Sequence, residues 1–311
     1  MVVVLSRALY AAVVLGAISV ISARSAAPSE FRPLAAVGHP SQAYFGSLPP
    51  GAPLPTGSQC AEDISATPET VSGNIPFNRT MATAAQLAEF ARNGYTFERL
   101  LSKAQFSRIR GDYTGSTDMI IRWAACKYGI DENIVRGQAW QESWWQQWRT
   151  GDRRESRAQC VQGNFVALWD TTVSLVDGAK VDCPKCCWTS WSAWQTKVRY
   201  EWMTWPMIKD STSFAADFHY ATTRSCVNGD WATFFSSRQA WPGHNTYAVD
   251  QANYAKDPTS ANLKTVVWGC VGSHMSGEWY DRAAVEYIND IRANIAKRRW
   301  LTPNIHITGP G

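Results

Sequence analysis

The sequence is poor in charge. Asp, Glu, Lys and Arg make up only 18% of its 311 residues, and 30 basic against 26 acidic side chains leave a formal +4. Spread along the chain, that balance supplies neither the basic stripe of a nucleic-acid surface nor the charge density of a disordered chain. Long apolar runs are also scarce. The run from Ala8 to Ile21 stops at fourteen residues, and no later segment reaches spanning length; a membrane-spanning helix needs ~20. The five histidines (His39, His219, His244, His274 and His306) form no HxxH or HxxxH pair. Cys183-Pro-Lys-Cys186-Cys187 lacks the second CxxC of a zinc knuckle. No metal or cofactor is therefore expected. A repeat of 20–50 residues is absent, which excludes a solenoid, and no strand-like alternation persists.

Tryptophan is what the chain has in abundance, at 16 residues, within a 45% hydrophobic composition. That suffices for a full core in one large domain or two small ones. Arg7, the apolar run and the small residues Ala23, Ser25 and Ala27 have the tripartite form of a secretory signal, assigned to residues 1–25. The mature protein is expected to be secreted or held in the cell envelope, monomeric and free of the membrane after cleavage. Export suits the eight cysteines, an even number that reads as disulfides. Eight cysteines allow 105 pairings, so the connectivity stays open.

Residues 26–58, rich in Pro, Ala, Gly and Ser, read as a flexible leader. An extension over 59–115 contains one helix, Thr83 to Arg92. Stronger helical signals follow. Ser116 or Thr117 caps a helix carrying Ile120, Ile121, Ala124 and Ala125 that stops near Gly129. Asp131 caps a second helix running to about Trp148. Ser211 or Thr212 opens a third, with Phe214, Phe218, Ala221 and Ser225 on one face. Asp281 opens a fourth, with Ala284, Ile288, Ile291 and Ile295 in a stripe and a basic end at Lys297, Arg298 and Arg299. Residues 151–205 read as disulfide-held loops with short helices. The fold class is mainly α, with the principal domain over 116–300 and a tail over 301–311.

One carboxylate is out of place. Val135, Ala139 and Glu142 follow one another at spacings of 4 and 3, so Glu142 shares an apolar helix face. Desolvation raises a carboxyl pKa, and a raised pKa is what a general acid needs near neutral pH.

The run KYGIDENIVRGQAWQES resembles the first motif of the transglycosylase SLT group in the lysozyme-like superfamily. The resemblance implies a goose-type, lysozyme-like helical domain in a bacterial protein, with Glu142 as catalytic acid and Ser143 as the small residue after it. TSWSAWQTKVRY resembles the second block. There Ser190 and Gln195 match, while Ser192 stands where Gly is usual and Trp194 where Met is usual. STSFAADFHYATTRSCVNGDW is similar to the continuation in secreted, Cys-bearing members, and GCVGSHMSGEWYDRAAVEYINDI to the closing helix, whose Tyr is Tyr287. The resemblance spans residues 116–300. It implies cleavage of the β-1,4 bond between N-acetylmuramic acid and N-acetylglucosamine in peptidoglycan glycan strands, giving 1,6-anhydro ends. In that scheme Gln195 hydrogen-bonds the sugar and Tyr287 orients Glu142.

Two other readings stand beside it. A lysozyme-type hydrolase needs a second carboxylate, for which Asp152 is better placed than Asp170, Asp177 or Asp182. A wall-binding protein without catalysis would use Trp144, Trp145, Trp148, Trp188, Trp191 and Trp194 as a sugar platform. Under the enzymatic readings Trp145 and Trp191 line the cleft. Arg149, Arg153, Arg154 and Arg157 read as solvated surface. Asn78-Arg-Thr80 is a glycosylation sequon, without force in a bacterial protein.

Overall fold

Capping residues punctuate the chain. The computed structural model describes residues 43–93, 100–162, 165–166, 172–174, 180–182, 185–237 and 246–302. The signal segment, the leader up to residue 42, Asp170, Asp177, Cys183 and the tail from residue 303 lie outside the described residues. The helices are α1 (Gly57–Glu62), α2 (Ile75–Asn78), α3 (Ala84–Asn93), α4 (Lys103–Phe106), α5 (Thr117–Tyr128), α6 (Glu132–Ser143), α7 (Met207–Asp210), α8 (Thr212–Val227), α9 (Ala232–Ser237), α10 (Tyr247–Lys256), α11 (Ser260–Ser276) and α12 (Arg282–Ala296). The strands are β1 (Thr150–Arg154), β2 (Val161–Gln162), β3 (Phe165–Val166), β4 (Thr172–Ser174), β5 (Lys180–Asp182), β6 (Cys187–Trp191) and β7 (Thr196–Lys197).

The expected caps hold. Ser116, Asp131, Ser211 and Asp281 each accept a backbone N–H in the first turn of α5, α6, α8 and α12. Gly129 ends α5 in the left-handed conformation. The stretch expected to be loops with short helices is different: it holds an antiparallel sheet of order β1-β6-β7 and two small two-stranded sheets, β2-β3 and β4-β5. Strands of two to five residues are too short to show alternation.

Helix α8 is central, packing against α4, α5, α7 and α11. Fifteen of its sixteen residues are buried. Its Asp217, fully buried, gathers the Tyr128 hydroxyl at 2.7 Å, the Lys127 ammonium at 2.7 Å and the backbone N–H groups of Arg110 and Gly111 at 2.6 and 2.8 Å. A buried charge is tolerable only when its lone pairs are satisfied in this way. Helix α12 lies across α6 and α11 at two glycines. A Cβ at Gly137 of α6 would come within 2.8 Å of Ile295 and 3.0 Å of Ile291, and one at Gly272 of α11 within 2.7 Å of Ile288. Only glycine permits these approaches, and they bring three helices together at one end of the fold.

Residues 43–58, expected to belong to a flexible leader, are ordered. From residue 43 the chain is strapped to the helices: Phe45 accepts from Glu132 N–H at 2.9 Å, Leu48 N–H donates to Gly129 at 2.9 Å, and Arg224 donates to the carbonyls of Leu48 and Pro49. Proline and glycine content does not prevent ordering when buried helix residues supply partners for the backbone. Asn78 of the sequon is 2% exposed and donates to Glu69 at 2.6 Å, so its amide faces inward. Disulfides join Cys60 to Cys126, Cys160 to Cys187 and Cys226 to Cys270. No helix among the described residues is long and apolar enough to cross a membrane. The disulfides match an oxidising compartment.

Candidate functional site

Glu142 occupies the last turn of α6, one turn beyond the buried Ala139. The helix was expected to continue to about Trp148 but ends at Ser143, because Trp144 and Trp145 both have left-handed backbone, with φ of 55° and 68°. Such a conformation costs a non-glycine residue on the order of 1 kcal/mol or more. Packing sustains it. The Trp145 indole N–H donates to the Arg136 carbonyl at 3.0 Å, and its ring stacks on Trp300 with centroids 6.2 Å apart. The chain therefore turns away directly after the Glu-Ser pair and leaves the carboxyl at a helix end.

Three elements converge on that carboxyl. From α12 the Tyr287 hydroxyl donates to Glu142 Oε1. From α11 the Nε2 of His274 stands 3.5 Å from the same oxygen. From the sheet come the charges of Lys197 and Asp152. The Glu142 side chain is only 12% exposed. Burial pushes its pKa up; the Tyr287 hydrogen bond and Lys197 pull it down, Asp152 pushes it up again, and the balance lies at about 7. Burial, and then Glu142 beside it, raise the Tyr287 phenol well above its ordinary value, so it remains a donor. Burial and the charge of Lys197 outweigh a hydrogen bond to the Trp194 backbone and the charge of Asp152, and lower His274 to about 4.

Asp152 differs. It sits in β1 with φ 53°, accepts from the Ser190 hydroxyl at 2.7 Å, and lies 3.6 Å from Lys197 and 4.0 Å from Arg154. Burial raises its pKa, but the Ser190 hydrogen bond and the two cations outweigh that and hold it below the usual value. The β1-β6-β7 sheet sets this geometry by pairing Gly151 with Ser190 and Ser190 with Lys197. At the β6–β7 turn, Ser192 adopts φ 78°, the left-handed backbone that glycine favours.

The remaining expected site residues have other partners. The Ser143 hydroxyl donates to the carbonyls of Ala139 and Ala193, tying α6 to the sheet turn. Gln195, expected to reach a sugar, spends its amide hydrogens on Arg149 and Ser192 carbonyls at 3.2 and 2.9 Å. Trp145 and Trp191, expected to line the cleft, are packed inside, Trp191 edge-on to Trp205 at 5.3 Å. Trp194 is wholly buried and donates to the Tyr220 hydroxyl at 3.0 Å.

A cavity of about 420 Å³ adjoins the carboxyl cluster, lined by Lys197, Tyr200, Glu201, Trp231, Phe234 and His274 among others. In it, burial acting against the charge of Lys197 lifts Glu201 to about 8. Another cavity, of about 830 Å³, borders Trp145 and Trp300. Neither cavity has Glu142 or Tyr287 in its lining; the smaller one meets the carboxyl cluster through His274 and Lys197. Among the described residues no group of three or more His, Cys, Asp or Glu side chains is gathered as a metal-binding set.

Sequence reasoning overlooked His274, Lys197 and Glu201. Lys197 follows Gln195 by two residues and His274 lies inside the closing run, yet no spacing rule links either to Glu142. The contacts are made by a sheet and by a helix pair folded back on itself. No family model, curated protein or solved structure matches the chain.

Proposed function

We propose that the protein is a peptidoglycan lytic transglycosylase with a lysozyme-like helical fold, in which Glu142 is the sole acid and base. One observation carries the reading: a nearly buried carboxyl with a pKa raised to about 7, held by a neutral phenol and in contact with His274, which lines a cavity. Such a group is protonated in a large fraction of molecules near neutrality and gives up its proton readily.

Glu142 donates its proton to the glycosidic oxygen as the C1–O bond breaks, and positive charge develops on the ring. The carboxylate then takes the proton of the sugar's 6-hydroxyl while that oxygen bonds to C1. The proton returns to Glu142, no water is consumed, and a 1,6-anhydro end results. Tyr287 holds the carboxyl in orientation through both steps. The order of motifs along residues 116–300 supports the same substrate.

A hydrolase using Asp152 is the second reading, favoured by the proximity that lets Asp152 act on the Glu142 carboxyl. Against it, a carboxylate bonded to Ser190, flanked by Lys197 and Arg154 and lowered in pKa is a weak base towards water. The wall-binding reading has less support, because Trp145, Trp191 and Trp194 are packed inside rather than presented.

Digestion of purified sacculi with the mature protein, followed by mass spectrometry of the ends, decides among these. Anhydro ends are expected. Reducing ends would establish hydrolysis, and binding without release would leave only the wall-binding reading. Glu142→Gln is expected to abolish release while keeping the fold; full activity in that variant would sink the assignment.

A further inference from the structure

His274 has no role in the scheme above, yet it touches its centre. Its Nε2 is 3.5 Å from Glu142 Oε1, and its ring lies edge-on to His219 of α8 with centroids 4.6 Å apart. The ring also stands 6.4 Å from the Tyr287 ring of α12 and interacts with the Trp194 backbone in the β6–β7 turn. It forms part of the wall of the 420 Å³ cavity and is itself 22% exposed. The imidazole thus touches both the catalytic carboxyl and the cavity beside it.

We propose that His274 is a positioning residue for Glu142: a neutral imidazole, clamped between α8 and the β6–β7 turn, that shuts water away from the carboxyl on the cavity side and preserves its acid form. The inference deepens the transglycosylase reading and rests on it for its catalytic meaning.

The alternative is an imidazolium–carboxylate ion pair. That would raise the histidine and lower the glutamate. Both groups move the other way, the glutamate up to about 7 and the histidine down to about 4. Between those values both are neutral. The surroundings explain why. Lys197 of β7 repels a second cation, while Asp152 of β1 partly counters it. His219, lowered by burial and by His274, has a buried Nε2 with no hydrogen-bond partner and provides no counter-charge. Tyr220 of α8 and Tyr287 of α12 are phenols raised well above their ordinary value, first by burial. Glu201, across the cavity, is raised to about 8 by its own burial against Lys197. Burying two charges here costs more than their attraction returns.

The test needs no substrate. In protein labelled with ¹³C at the glutamate carboxyls, the wild-type Glu142 resonance is expected to titrate near 7. In His274→Ala and in His274→Asn, which keeps a donor for Trp194, water reaches the carboxyl. Its proton affinity is then expected to fall about tenfold or more, moving the midpoint down by about a pH unit. His274→Phe, a dry filler of similar width, is expected to keep the midpoint high. The alkaline limb of glycan release should move with the midpoint in each variant, an effect that mere loosening of the fold would not produce. A midpoint unmoved in the Ala and Asn variants would overturn the proposal. So would one lowered as far by Phe as by Ala, or a wild-type His274 ring that gains its proton near the ordinary value of 6.5. A shifted midpoint without glycan release counts against the enzymatic reading alone, whereas release with an unshifted midpoint counts against the role of His274 alone.

Discussion

A carboxyl whose pKa is raised by burial weakens the protein that holds it once it ionises. Glu142 is raised from 4.5 to about 7 by folding, so the folded state binds the proton more tightly than the unfolded state does. The stability this confers is fully present below 4.5 and is lost as pH rises through about 7. At 1.36 kcal/mol per unit the loss is on the order of 3 kcal/mol. Glu142→Gln removes the titration and keeps the shape. Urea denaturation near pH 4 and again at about pH 8.5 should show wild-type stability falling relative to the variant by that order. Parallel behaviour of the two proteins across the range would mean that the carboxyl is solvated. Under the proposed function the same group would set the activity window, and glycan release by the wild type is expected to decline as pH passes through about 7. Asp152 is shifted the opposite way by its partners. Two carboxyls near each other thus shift in opposite directions because of what surrounds them.

At the scale of elements, the site depends on how closely three helices approach. Gly137 lets α12 settle on α6, and Tyr287 lies one turn before Ile291, which rests on that glycine. In Gly137→Ala the added methyl would meet Ile295 at 2.8 Å, Ile291 Cγ2 at 3.0 Å and the Ile291 carbonyl at 3.3 Å. Overpacking of this kind costs typically ~1–3 kcal/mol, against ~1 kcal/mol returned by better helix propensity. We expect a net loss of about 1 kcal/mol, with release falling roughly tenfold as the phenol moves off the carboxyl. Denaturation and release assays on the same preparation check both; undiminished release would show that the helix spacing does not set the Tyr287 contact. The sequence discloses part of this arrangement. Ser116, Gly129, Asp131, Ser211 and Asp281 mark helix ends through local capping chemistry, and the spacing of Val135, Ala139 and Glu142 puts the carboxyl on an apolar helix face. The stop after Ser143 has no local signal, since it follows from Trp145 packing on Trp300, far along the chain. Helix α11 is equally hidden. Its middle is buried on every side, from Val266 to Ser273, so no single apolar stripe announces it. His274 was unreadable for the same reason.

At the scale of the whole molecule, the disulfides divide between frame and site. Cys60–Cys126 ties α1 to α5, and Cys226–Cys270 ties α8 to α11. Their sequence separations, 66 and 44, are similar in logarithmic terms, so loop-closure entropy assigns each about 4 kcal/mol. Their positions are not equivalent. α8 and α11 carry His219 and His274, whose rings meet edge to face, whereas α1 and α5 bear none of the residues around Glu142. Replacing either pair with alanine should therefore lower denaturation stability by comparable amounts, while only the Cys226/Cys270 double variant should lower the Glu142 midpoint. The comparison separates global stability from local order, since a general loosening would move both midpoints alike. Equal shifts in the two variants would show that Glu142 responds to overall stability; a shift confined to the Cys226/Cys270 variant would place the control of the carboxyl in the α8–α11 clamp.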